Sequence, residues 1–600
     1  MSVYRPVLRL FQALALATTL GWAGAHAQTW SGGSGNNNWS TGGNWTPSGA
    51  PAAGANVTFA GSTRLTPNLN SARSLSSLTF ASDAGGFTLG STSGSTLSLG
   101  SGGLIQASAN AQSITHALTL TASQTWNLSG GDLGVSGPIS SSGFITLTKS
   151  GAGNLTLSGN NSGLQGPLAV GAGTVTLASS TALGSSTFNN TVSSGATLAL
   201  TGGITLTEGD LLVAGAGVSS GGALRSLAGA NTVAADLKLS ASSTVAADAG
   251  TLTLANTVAL NGHTLTLAGS GAIVTSQPIN GGGSVTTTGS GARTFNGQIN
   301  AALTVAGSGN VVINQNVNAG SGTVTLGGSG SVTLNGAQIN AGNVVIAGST
   351  SVASASTLNL GGGGLSVTGS GTVALDGPAI NVGNITVSGD GATSFGSQIN
   401  ASGGSFTQSG SGTTTFDGSG TNFFANVTIT GGSVVLDQTG GSAFQVSGAI
   451  NISDADIVFA GDNQIASFNS VTLGDGATLF LGDTSQSFAN LTITGDSILD
   501  FGGGGASLDI ANLNLLGEAT LTILNWNGAV DSFLVDVNPG STALDRIIFA
   551  DFDGATWNSD GTVTALVPIP EPAAFGFALL GGLAGLASLR RPRRPAAPTR

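Results

Sequence analysis

The segment His263-Thr-Leu-Thr-Leu-Ala-Gly269 alternates apolar and hydroxyl side chains and then stops at glycine. The same phrase returns as Asn154-Leu-Thr-Leu-Ser-Gly159, Gly250-Thr-Leu-Thr-Leu254 and Gly322-Thr-Val-Thr-Leu326. A period of two puts Leu and Val on one side of an extended chain and Thr on the other, which is the pattern of a half-buried strand. Thr and Val suit a pleated backbone, and the Gly, Asn and Ser clusters between runs supply turns. Between residues 28 and 567 no stretch shows the 3.6-residue apolar period of a helix.

A longer period lies over this one. An apolar-Asn pair recurs at Asn280, Asn300, Asn318, Asn340, Asn359, Asn381 and Asn400, at intervals of about 20 residues. That spacing, with two or three short strands and Gly-rich corners per repeat, predicts one coil of a parallel β-helix. A single coil has too little apolar surface to be stable, so each must stack on its neighbours. The aligned Asn side chains are expected to form a hydrogen-bonded ladder inside one corner. About 520 residues at roughly 20 per coil predict some 26 coils and a rod about 125 Å long.

Composition agrees with stacking. Charged residues are 7% of 600, and side chains in register about 4.8 Å apart repel when they carry like charge. The chain has 99 Gly, no Cys and only two lysines, Lys149 and Lys238. Collagen is excluded because Gly does not recur at every third position, and disulfide frameworks and thiolate chemistry are excluded outright. With 14 basic against 26 acidic residues and a net charge of −12, nucleic acid is not an expected partner.

Both ends read as addresses. Arg5 and Arg9 precede an apolar core, and Ala25-His-Ala27 supplies a small-x-small cleavage site, so residues 1–27 are expected to be a secretory signal helix. At the other end Pro570, Glu571 and Pro572 precede 573–589, 17 uncharged residues at the lower limit for a single transmembrane helix. Arg590, Arg591, Arg593 and Arg594 follow, and the positive-inside rule keeps them cytoplasmic.

That three-part tail, 568–600, resembles the PEP-CTERM sorting signal. The resemblance implies export by a Gram-negative bacterium through its secretion machinery, transient anchoring in the inner membrane through 573–589, and recognition by an exosortase. Release to the cell surface, outer membrane or extracellular matrix would follow, in the company of exopolysaccharide. The segment Leu147-Thr-Lys-Ser-Gly-Ala-Gly-Asn-Leu-Thr-Leu-Ser-Gly159 is similar to the autotransporter-associated β-strand repeat, which implies a secreted β-helical passenger. That family's passengers are followed by a membrane barrel, and here the expectation is passenger architecture fitted with the different sorting tail. The expected order is therefore signal peptide (1–27), N-terminal cap and first coils (28–146), repetitive β-helix (147–450), acidic coils and cap (451–567) and sorting tail (568–600).

The chemistry-bearing residues are few. Between Asn451 and Asp560 there are 15 acidic residues and one basic residue, Arg546, with Trp526 and Trp557 as candidates to close the rod's end. Asp454 with Asp456, and Asp551 with Asp553, are i, i+2 pairs that share a face if they lie on strands. Each pair reads as a solvated loop, a weak Ca²⁺ site or an acid/base couple. No other cofactor is implied. His116 and His263 have no triad partner in pattern, and His263 reads as a turn residue. Trp30, Trp39, Trp45 and Trp126 could stack on sugar rings, with Trp39 and Trp45 as the candidate carbohydrate contacts, or the first three staple the N-terminal cap. The expectation is a non-enzymatic structural or adhesin-like protein. A polysaccharide lyase or hydrolase on the same fold, or a carbohydrate-binding surface module, are the alternatives.

Overall fold

The computed structural model describes residues 27–185, 187–336 and 338–565. The expected signal helix (1–27, apart from Ala27), the motif Pro570, Glu571, Pro572, the transmembrane segment 573–589 and the cluster Arg590, Arg591, Arg593, Arg594 lie outside the described residues. Within them, no helix is long and apolar enough to cross a membrane.

The alternating runs form strands, and three of them make one coil. Thr264–Ala268, Ala272–Thr275 and Ile279–Asn280 are the sides of one coil, and Ser284–Thr287 and Arg293–Phe295 begin the next. Each strand pairs in parallel with its counterpart one coil later: Leu265 with Val285, Ile273 with Arg293, Ile279 with Ile299. Repeating that offset builds an all-β parallel solenoid of about 23 turns with ~21 residues per coil and almost no helix. The coils are fewer than the period suggests because some corners are long. Leu198 pairs with Leu224 across a corner that holds the 3₁₀ turn Val218–Ser220.

Strands such as Leu237–Ala247 and Gln398–Gln408 run round a corner without breaking. Among the described residues they merge two faces into one 41-stranded sheet, while the third face is a separate sheet of 17 strands.

Register decides the interior. The column Leu265, Val285, Leu303, Val324, Val344, Leu365, Ile385, Phe406, Val427 is in unbroken register, and no member is more than 2% exposed. Burying each such side chain is worth about 1.5–3 kcal/mol. The neighbouring column faces outward and runs Thr266, Thr286, Thr304, Thr325, Val345, Ser366, Thr386, Thr407, Thr428, with no charge in it.

The Asn ladder is present from Asn280 to Asn381, and Asn400 continues the register without a side-chain bond to Asn381. Asn300 donates to Asn280 at 2.6 Å, Asn318 to Asn300 at 2.8 Å, Asn340 to Asn318 at 2.8 Å, Asn359 to Asn340 at 3.1 Å and Asn381 to Asn359 at 2.9 Å. Its position differs from expectation: these side chains are exposed or half-buried on the outside of the coil. A side-chain amide has both a donor and an acceptor, so neighbours above and below satisfy it without an interior. A second ladder, Asn335 to Asn314 to Asn296 at 3.0 and 2.8 Å, stands on another corner.

Corners demand glycine where coils touch. A Cβ on buried Gly404 would lie 1.4 Å from the carbonyl oxygen of Gly383 in the coil before, whereas a Cβ on exposed Gly403 meets nothing within 4 Å. Gly404→Ala is therefore expected to lower stability by about 3 kcal/mol by forcing two coils apart. Gly403→Ala should stay within about 0.5 kcal/mol. Paired thermal melts check this, and equal melting temperatures would contradict the stacking.

Candidate functional site

The four N-terminal tryptophans are interior. Trp39 and Trp126 are 0% exposed, Trp30 1% and Trp45 2%. Trp45 lies 5.1 Å from Trp30 and 5.4 Å from Trp39, Phe59 joins the group, and Trp45 Nε1 donates to the Trp39 carbonyl at 2.8 Å. Because no ring face is open, Trp39 and Trp45 cannot stack on a sugar, and that expectation is corrected. The cluster closes the first coil instead, where Ala27–Trp30 pairs with Ala55–Phe59 and with the antiparallel Trp45–Thr46. At the far end Trp526 packs edge-on to Phe501 at 4.8 Å and to Phe549 at 5.3 Å. Trp557 Nε1 donates to Val535 at 2.8 Å.

The paired carboxylates do not share a strand face. Asp454 occupies a corner at φ 49° while Asp456 opens the strand Asp456–Phe459, and Asp551 and Asp553 lie in turns. Among the described residues no three His, Asp or Glu side chains converge as metal ligands. Successive coils do place Asp454, Asp475 and Asp496 at one corner. Asp454 N donates to the Asp475 carbonyl, and Asp496 N to Asp475 Oδ1 at 2.9 Å. His116 is 4% exposed, and burial holds its imidazole below the usual histidine range; its Nε2 has no partner. His263 sits half-buried after a turn.

The basic residues, which carry no pattern in sequence, have definite places. Lys149 is 0% exposed, and its Nζ donates to the carbonyls of Gly151 at 2.6 Å and Ala172 at 2.8 Å. Burial pushes its pKa down to about 8, opposed by Asp132. Arg293, 1% exposed, donates to the carbonyls of Gly271, Gly269, Thr288 and Ala292, and burial lowers its pKa to about 10. Arg225 pairs with Asp248 at 2.8 Å, and Lys238 pairs with Asp210. Arg546 donates to the carbonyls of Leu515, Gly517, Ala519 and Thr542.

Arg64 differs. It is half-buried, holds a left-handed backbone at φ 51°, and lines a groove of about 590 Å³ across the first coils. Asn36, Asn37, Asn38, Thr66, Asn68 and Thr92 share that groove. Arg64 Nε donates to Gly32 and Nη1 to Asn37 Oδ1 at 3.1 Å. Asn68 donates to Asn38 at 2.8 Å and accepts from Thr92. Further along, Phe144 and Phe188 are 74% and 51% exposed, with their rings edge-to-face at 5.4 Å. Neither the groove nor this ring pair was legible in sequence. Asn36-Asn-Asn38 and Arg64 are about 27 residues apart, one coil in space, and a lone Phe in a Ser/Gly run resembles a core strand residue.

No family model matches the chain, and no curated protein or solved structure matches it.

The buried Lys149 gives a pH signature. Its folded pKa lies below the value of about 10.4 for an exposed lysine. The unfolded chain therefore holds the proton more tightly between pH 8 and 10.4, and stability from this group rises across that window. A neutral amine retains two donors, enough for its two carbonyl acceptors. Relative to Lys149→Met, the wild-type melting temperature should climb as pH goes from about 8 to about 10.5. Parallel pH-dependent melts check this, and curves that stay parallel would mean that the ammonium remains solvated.

Proposed function

We propose that this chain is an exported, non-enzymatic rod of the cell surface or extracellular matrix, acting as a spacer or adhesin associated with exopolysaccharide. The observation that carries the reading is the unbroken column of about 23 stacked turns sharing one core. At about 4.8 Å per turn it holds its ends roughly 110 Å apart. Such a column resists bending because every coil is paired to two others by backbone hydrogen bonds.

The surface supports a hydroxyl-rich partner. Uncharged Thr, Ser and Asn columns offer donors and acceptors without electrostatic cost, and Phe144 with Phe188 offers apolar rings for sugar C–H faces. The resemblance of residues 568–600 to an exosortase signal supports export and processing near Pro570, Glu571 and Pro572. On this reading the Arg590, Arg591, Arg593, Arg594 cluster stops transfer, and the exosortase, the secretion machinery and the exopolysaccharide are the partners.

Removal of residues 568–600 should shift the protein from the membrane fraction to the medium, and its persistence in membranes would contradict the sorting role. Phe144→Ser with Phe188→Ser should reduce retention on the host's exopolysaccharide severalfold without altering the melt. Reproducible release of reducing ends from that polymer by the wild-type protein would replace this reading with an enzymatic one.

A further inference from the structure

We infer that the groove around Arg64 binds an acidic sugar unit of a polysaccharide, with a carboxylate meeting the guanidinium and ring hydroxyls meeting the Asn and Thr side chains. This rests on the polysaccharide association proposed above and names its substrate class and site.

Charge is the first support. Residues 28–92, which the groove spans, contain Arg64 and Arg73 against one acid, Asp83, so the first coils carry a net +1 in a chain whose net charge is −12. Among the described residues Arg225 and Lys238 are neutralised by carboxylates, and Lys149 and Arg293 are spent on interior carbonyls. Arg64 has no acidic partner among the described residues, and its Nη2 makes no hydrogen bond to them. A guanidinium presents a planar fork that matches a carboxylate, and with Nε and Nη1 anchored its direction is already set.

Shape and wall chemistry are the second. About 590 Å³ is the size of a pocket for one or two sugar rings, within the usual range of about 300–1,000 Å³ for ligand sites. The walls are amide and hydroxyl groups fixed by their own bonds: Asn37 donates to Thr66 Oγ1 at 2.8 Å, and Asn68 bridges Asn38 and Thr92. Preorganised polar groups of this kind lose little freedom when they bind.

The test is affinity electrophoresis of the full chain in gels containing polygalacturonate, dextran sulfate, neutral dextran or the host's own exopolysaccharide. Polygalacturonate should retard the wild-type protein and neutral dextran should not. Arg64→Asn removes the charge and accepts the left-handed backbone; it should weaken polygalacturonate binding at least tenfold with the melting transition retained. Asn37→Asp keeps the acceptor for Nη1 but places a carboxylate beside the guanidinium, and it should weaken binding similarly, which guards against misfolding of the first variant. Wild-type affinity in both variants overturns this site while leaving the polysaccharide association intact. Retardation by dextran sulfate alone overturns it as nonspecific charge attraction. Self-association abolished by Arg64→Asn, without polygalacturonate binding, overturns it in favour of contact with the acidic coils of a second copy. Failure of every polymer, including the host's own, removes the association on which the site rests.

Discussion

In this fold the nearest cross-strand neighbours of any side chain are its counterparts one coil above and one coil below, about 4.8 Å away. That proximity of like to like governs the rest of the molecule. A position must suit a stack of residues like itself. Leu and Val stack inward into a dry core, and Thr stacks outward, its methyl and hydroxyl groups both tolerating a close copy. Asn does more than tolerate the copy, since its amide donates to one neighbour and accepts from the next, as from Asn280 to Asn381. Glycine is required where a backbone passes within contact of the coil before, as at Gly404.

Charge fits poorly into such stacks, and its few occurrences are informative. Lys149 and Arg293 are buried, where they donate to backbone carbonyls at bends in the coil. Carboxylates gather where the repeat loosens, at the corners of the final coils. There Asp454, Asp475 and Asp496 follow one another facing water, and the Asp475 and Asp496 carboxylates accept backbone N–H bonds. The two ends are sealed by aromatic clusters rather than by charge, Trp30, Trp39, Trp45 and Phe59 at one and Phe501, Trp526 and Phe549 at the other. A stacked sheet left open at its end would offer its unpaired edge to other chains.

The groove and the exposed ring pair both stand where the stacking rule relaxes. The groove at Arg64 lies where the first coils depart from the regular three-sided repeat, and the Phe144–Phe188 pair projects from a corner. Both present what the regular Thr columns do not, a guanidinium in a groove and an exposed aromatic surface. Both patches stand on a long column whose charge is sparse along the regular faces and gathers as carboxylates in the final coils.

The coil and its inward and outward faces were legible in sequence, because period-two alternation in runs such as Gly250-Thr-Leu-Thr-Leu254 reports burial directly and the Asn spacing reports coil length. The Asn partners followed from that spacing alone. Sequence offered two readings of Trp39 and Trp45, cap staple and sugar contact, and only folding of the first coil, which draws them into one cluster, selects the staple. The same holds for Lys149, whose burial depends on carbonyls at Gly151 and, one coil later, Ala172, and for Arg64, whose groove is built from three successive coils. Local alternation is a property of neighbours along the chain, so sequence determines it. The environment of a single odd residue is set by what lies one coil away, and stacking alone decides that.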